Sequence, residues 1–97
     1  ADLDLPGEGG FTPLQVSIRD EHDAVAQMLI DADVDVDTRN DGGATALHLA
    51  CARGMRQVVR TLLEHGADRT ILDADGFSAR ELAVEFQHGQ IARMLRA

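Results

Sequence analysis

The sequence contains no Trp, no Tyr and no Lys, and in 97 residues it has only three Phe, two Pro and one Cys. Each shortage excludes something. A single thiol, Cys51, can build neither an internal disulfide framework nor a cysteine zinc cluster. It fits a reducing compartment. No apolar run approaches the roughly 20 residues that cross a bilayer, and no charged-then-apolar leader is visible. The expectation is an intracellular chain, cytoplasmic or nuclear, with no membrane insertion. Cations are scarce too: nine Arg stand against 17 acids, for a net charge of −8. Such a surface repels phosphate backbones, so nucleic acid is not an expected partner. A chain of this size buries only about two-thirds of its unfolded surface, which predicts modest stability.

What is present is repetition. Thr12, Thr45 and Ser78 recur at a constant interval of 33 residues, as do Gly10, Gly43 and Gly76. The same interval relates Val16, Leu49 and Leu82; Ser17, Ala50 and Ala83; Val25, Val58 and Ile91; and Leu29, Leu62 and Leu95. Locally each unit reads alike. A Gly precedes a hydroxyl residue, which caps a short helix. Thr12-x-x-Gln15 and Ser78-x-x-Glu81 match the capping box, and Pro13 takes the favoured first helical position. In the middle unit the helix is "TALHLACAR", followed by Gly54. A second helix then carries Met55, Val58, Val59, Leu62 and Leu63 at helical spacing and stops at Gly66. An extended turn leads to the next cap. Two short helices cannot bury their own apolar faces, whereas stacked copies can, so the pattern predicts a solenoid.

The stretches "GGFTPLQVSI", "GGATALHLACARG" and "QVVRTLLEHGAD" resemble ankyrin repeats, and the resemblance covers the whole chain. It implies an all-α solenoid of helix-turn-helix units with projecting β-hairpin loops, arranged as one domain. Residues 1–9 would be the tail hairpin of an upstream repeat, 10–42 and 43–75 full repeats, and 76–97 a C-terminal capping repeat. Departures from the pattern are informative. Gln15 replaces the His of the motif, and Asp33 stands where Gly66 stands in the second unit, a substitution that the left-handed conformation tolerates better for Asp than for most residues. Arg80 and Arg96 replace apolar core residues, which suits a last repeat. Because Ala1-Asp2 align with Ala67-Asp68, the chain opens in mid-repeat. It is therefore expected to be a fragment of a longer array and a monomeric module of it, with Val16 and Val25 short of packing partners.

The acidic run "DADVDVDTRNDGG" invites a calcium reading. Starting at Asp31 or Asp33, however, the sixth position is Val36 or Thr38 and the twelfth is Gly42 or Ala44, so both the turn Gly and the closing Glu are missing. The run aligns instead with the inter-repeat hairpin, and its acids are expected at a solvated edge. No cofactor or metal is expected. His48 matches the structural His of the motif. His22 and His88 mark equivalent helix starts two units apart, and His65 lies in a last helical turn. Cys51 and the methionines Met28, Met55 and Met94 read as core. No nucleophile–base constellation and no phosphate loop is present, so the chain is not expected to be an enzyme.

The resemblance implies protein–protein interaction through the hairpin tips and the inner face of the first helices. Transferred onto this sequence, the partner-binding candidates are Phe11, Arg19, Arg39, Asp41, Arg53, Asp75, Phe77 and Phe86. All three Phe fall in that set, and aromatic residues with Arg are the usual interface anchors. Acidic hairpins would steer a basic partner surface. Two other roles stay open: a structural spacer within a longer array, or the targeting or inhibitory domain of a larger enzyme or toxin-inhibitor system.

Overall fold

A computed structural model describes residues 7–95, so the expectations for the rest of the leading segment and for Arg96 lie outside the described residues. Six helices follow a single 3-10 turn at Glu8–Gly10. They are α1 (Pro13–Arg19), α2 (Asp23–Asp31), α3 (Ala46–Arg53), α4 (Arg56–Glu64), α5 (Ala79–Glu85) and α6 (Gly89–Met94). No strand is assigned among the described residues. The fold is an all-α stack of three helix pairs, in which α3 packs between α1 and α5 and α4 packs between α2 and α6.

Each inner helix starts at the residue the sequence nominates. The hydroxyls of Thr12, Thr45 and Ser78 accept from the third helical N–H, and the side chains of Gln15, His48 and Glu81 accept from the cap N–H. The middle box uses His rather than Gln or Glu, with Nδ1 of His48 taking the N–H of Thr45 at 3.3 Å. Both partners are buried, which removes two orphan donors per helix start from water without leaving them unpaired.

The two helices of each pair are joined by a residue forced into the left-handed region: Glu21 (φ 60°), Gly54 (φ 74°) and Gln87 (φ 64°). Only Gly54 adopts it without strain. The exits of the second helices repeat the theme with Asp33 (φ 62°) and Gly66 (φ 82°), so Asp33 does occupy the conformation expected of it. Between pairs the chain turns back through tight loops. Asn40 N–H donates to Ala44 O at 2.9 Å and Asp73 N–H to Phe77 O at 2.9 Å, as Gly7 N–H does to Phe11 O at 2.8 Å. The loops are hairpins closed by single turns. Neighbouring hairpins are joined through Asp41 N–H to Gly9 O and Ala74 N–H to Gly42 O, both 3.0 Å. Gly10 and Gly43 make that approach possible. A Cβ on Gly43 would lie 2.6 Å from Ala74 N, and one on Gly10 would lie 2.9 Å from Asp41 N.

The core runs through the stack as one cluster that includes Leu14, Ile18, Ile30, Leu47, Cys51, Val58, Val59, Leu62, Ala83 and Ile91. Met55 is buried and Met94 packs against the cluster, as expected. Met28 does not: it is 70% exposed. Its repeat equivalents, Thr61 and Met94, are partly buried, so the position is open only in the first unit. Val25 is 46% exposed, against 0% for Val58, its equivalent. The difference arises because α4 packs between α2 and α6, whereas α2 has a described neighbour on one side only.

The acids of the inter-repeat run are local structural groups. Asp35 Oδ1 accepts from Asp37 N–H at 2.9 Å, and Asp37 Oδ1 accepts from Asp68 N–H at 2.9 Å. Asp68 Oδ1 accepts both the N–H and the hydroxyl of Thr70, and these bonds hold its carboxyl below the usual range. Such turns are what Asp provides at loop starts.

Two stability outcomes follow. Gly54→Ala should destabilise the chain by roughly 1–3 kcal/mol, because a Cβ would sit 2.6 Å from the His88 ring on a left-handed backbone. Gln87→Gly should stabilise it by up to about 1 kcal/mol, the strain released less the added chain entropy. Urea unfolding followed by circular dichroism reads both, and opposite signs at the two equivalent sites are the discriminating result. In the same assay, His48→Ala should cost about 2–3 kcal/mol. His48→Gln should cost about 1 kcal/mol or less, since Gln15 already fills the equivalent position.

Candidate functional site

The hairpins lie at one end of the helices and project as a row. In it, Asp41 and Asp75 are exposed at adjacent tips, and Phe77 follows at the base of the third hairpin with 40% of its surface exposed. The row is held from below. Gln15 Nε2 donates to Thr38 O at 2.7 Å and to Ala44 O at 3.1 Å, reaching from the first inner helix into the second hairpin. His48 Nε2 lies 2.9 Å from Phe77 O. Because Nδ1 of His48 accepts from Thr45, Nε2 carries the proton and donates to that carbonyl. His48 is thus a structural tie, as the motif resemblance implies.

Arg39 is bound into this row as well. Its Nε donates to Gly43 O at 3.2 Å and its Nη2 to Leu72 O at 2.8 Å. The guanidinium therefore bridges the second and third hairpins, although the side chain remains exposed. Arg19 stands at the end of α1. Its Cζ lies 5.2 Å from the centre of the Phe11 ring, within cation–π range, and its Nε lies 3.2 Å from Asp20 Oδ1. Phe11 is only partly exposed beneath it. Arg53 and Phe86 hold equivalent positions at the ends of α3 and α5, at the other end of the inner helices from the tips, and Phe86 is 54% exposed.

The structure therefore separates the eight candidates. Phe11 and Arg19 form a pair at the first unit. Arg39, Asp41, Asp75 and Phe77 share the hairpin row. Arg53 and Phe86 sit at the inter-helix turns. Two exposed apolar side chains outside the candidate set complete the surface of the last unit: Leu72 (48%) and Val84 (58%). Val84 is informative because its equivalents, Ile18 and Cys51, are both 0% exposed. The alignment of units that placed Arg80 opposite Leu14 and Leu47 carried the same signal for Val84. Arg56 and Arg60 were also missed. They share a groove with Arg53, and their spacing of three and four residues was the available clue.

The arrangement has no constellation for covalent chemistry. Among the described residues there is no group of three or more His, Cys, Asp or Glu that could hold a metal ion. No helix among them is long and apolar enough to cross a membrane. His22 and His88 cap α2 and α6, and the His88 ring closes over Gly54 to reach Ala52 O at 3.2 Å. His65 Nε2 is 3.4 Å from Asp31 Oδ1 on the neighbouring unit. Burial pushes the Cys51 thiol up to about 12, so it stays neutral and inert.

The family model described as ankyrin repeats (3 copies) matches residues 26–97, and that of the single ankyrin repeat matches residues 9–41. The chain belongs to the ankyrin-repeat family. Ankyrin-repeat proteins are similar to it along most of its length. The ankyrin repeat and KH domain-containing protein mask-1 of Caenorhabditis elegans is 36% identical over 84 residues, 87% of this chain and 3% of that protein. The probable E3 ubiquitin-protein ligase XBOS34 of Oryza sativa subsp. japonica is 37% identical over 98 residues, 98% of this chain and 19% of its own length. Rabankyrin-5 of Homo sapiens is 34% identical over 104 residues, 93% of this chain and 9% of its own. The chain spans less than a fifth of each of these relatives. Ankyrin repeats are protein-interaction modules, and where a relative is named as an enzyme the repeats are only part of it.

The Cys51 thiol should react with a disulfide reagent at pH 8 at least about a hundredfold more slowly in the native chain than in urea, since access requires opening of the core. Absorbance of the released thiolate follows both rates. Comparable rates would place Cys51 outside the packed interior.

Proposed function

We propose that this ankyrin stack is a non-enzymatic protein-binding module that holds its partner through the hairpin row and the exposed surface of its last unit. One observation carries the reading: Leu72, Phe77, Val84 and Phe86, close together in sequence at the last unit, remain 40–58% exposed. Large apolar groups left open in this way mark interaction surfaces, and aromatic anchors account for much of the binding energy at such sites. Asp41 and Asp75 flank this surface on exposed tips. With a net charge of −8, they favour a partner whose apolar contact is rimmed by basic residues, and they raise its association rate. Arg39 keeps the tips in register, while Arg19 holds the Phe11 ring.

A second reading has its own support. The relatives are several times longer than this chain. Their length favours a stack that works inside a larger protein, as a spacer or as the targeting part of an enzyme.

Extract from the source cells, passed over immobilised chain at low and moderate salt, should yield a protein whose purified form binds more weakly as salt rises. Phe77→Ala combined with Phe86→Ala should weaken that binding at least tenfold, which corresponds to about 1.4 kcal/mol, with the helical circular dichroism unchanged. Equal binding by the variant would sink the proposal. A folded chain that captures nothing would favour the spacer.

A further inference from the structure

At the end of the helices away from the hairpins lies a groove of about 610 Å³, lined by side chains of all three helix pairs. One wall carries Arg53 from the end of α3 with Arg56 and Arg60 from α4; the other carries Glu21 and Asp23 from the start of α2. Met55, 7% exposed, and the partly buried Met94 provide an apolar floor. A third of the chain's nine cationic residues thus converge on one depression of an acidic protein.

The three guanidinium groups differ in what they have left to give. Arg56 Nη1 donates to Gln90 Oε1, which anchors it across α4 and α6. Arg53 and Arg60 have no hydrogen-bond or carboxylate partner among the described residues, and Glu21 and Asp23 form no ion pair with them. Helix α4 begins in the same place, with Met55 as a cap residue that supplies no side-chain acceptor. Two unspent planar guanidinium forks beside an apolar floor are suited to carboxylates carried on a polypeptide.

We infer that this groove docks a short acidic peptide segment of a protein partner. Arg53 and Arg60 take its carboxylates, and an apolar side chain of the segment rests on Met55. The surroundings select against a nucleic acid. No aromatic residue lines the groove to stack a base. The net charge of −8 repels a long polyphosphate that runs beyond the groove, whereas a short segment meets chiefly the local Arg cluster. None of Leu72, Phe77 and Phe86 lines the groove, so either reading can fail without the other.

The test is fluorescence anisotropy of a labelled peptide of repeated Glu-Glu-Leu, with its Gln-Gln-Leu counterpart and a labelled single-stranded oligonucleotide as controls. The acidic peptide should bind, weaken with salt and lose about tenfold in affinity for each of Arg53→Gln and Arg60→Gln. Both residues are exposed, so the fold should survive, which circular dichroism checks. Phe77→Ala with Phe86→Ala should leave this binding unchanged. Any of four results would overturn the inference: no binding of the acidic peptide by the wild-type chain, equal binding by the Arg variants, equal binding of the Gln peptide, or preference for the oligonucleotide.

Discussion

The stack depends on one side chain per unit doing two jobs. At the third position of the inner helix, Gln15 and His48 each close the cap of their own helix and reach across a repeat boundary to a hairpin carbonyl. Both are 1% exposed, so the bonds cannot be exchanged for water. A buried hydrogen bond of this kind contributes roughly 0.5–1.5 kcal/mol net, but its loss leaves an unpaired buried group that costs more. Only a side chain with both an acceptor and a donor can serve. Gln and neutral His have both, whereas an ionised carboxylate only accepts. Glu81, at the third such position, closes its own cap, and its side chain reaches no hairpin carbonyl among the described residues.

The rest of the architecture follows from that tie. Because the hairpin is held from the helix below, neighbouring hairpins come close enough to share a backbone hydrogen bond, and that proximity requires Gly10 and Gly43. Once the hairpins are locked side by side, Arg39 can span two of them, and the tips become a rigid row rather than independent loops. A surface built this way loses little conformational entropy on binding, which favours affinity at modest area. The groove at the other end of the helices is set by different residues, the turn at Gly54 and the start of α4, so the two surfaces are free to diverge.

Much of the fold was legible in the sequence because its determinants are local and periodic. Caps at Thr12, Thr45 and Ser78, stops at Gly54 and Gly66, and the apolar spacing of α4 can each be read from a few residues. Asp33 could be placed in a left-handed turn by aligning it with Gly66. What escaped depends on what is or is not stacked alongside. Met28 looks like core by helical spacing, and its equivalent Met94 does pack against the core, but in the first unit the position stays open. Val84 is apolar, yet the face it occupies is covered only in the first two units. Among the candidate residues, the Phe positions were found by alignment. The bridge made by Arg39 was not, because its partners are carbonyl groups in another hairpin and leave no trace in side-chain identity.

Among the described residues the main helix packing runs from neighbour to neighbour, and the tie that joins units is directional: the first and second inner helices each grip the hairpin that follows. In mechanical terms the chain resembles a row of clasps, all facing the same way. Tension applied along the stack would load the clasps in series. The third unit is gripped through Phe77 O by His48 and, with Glu81 in place, grips nothing by that means. A pull on the far end would therefore be shared by the buried imidazole of the middle unit, the Ala74–Gly42 backbone bond and the Arg39 bridge, and of these His48 alone is shielded from water.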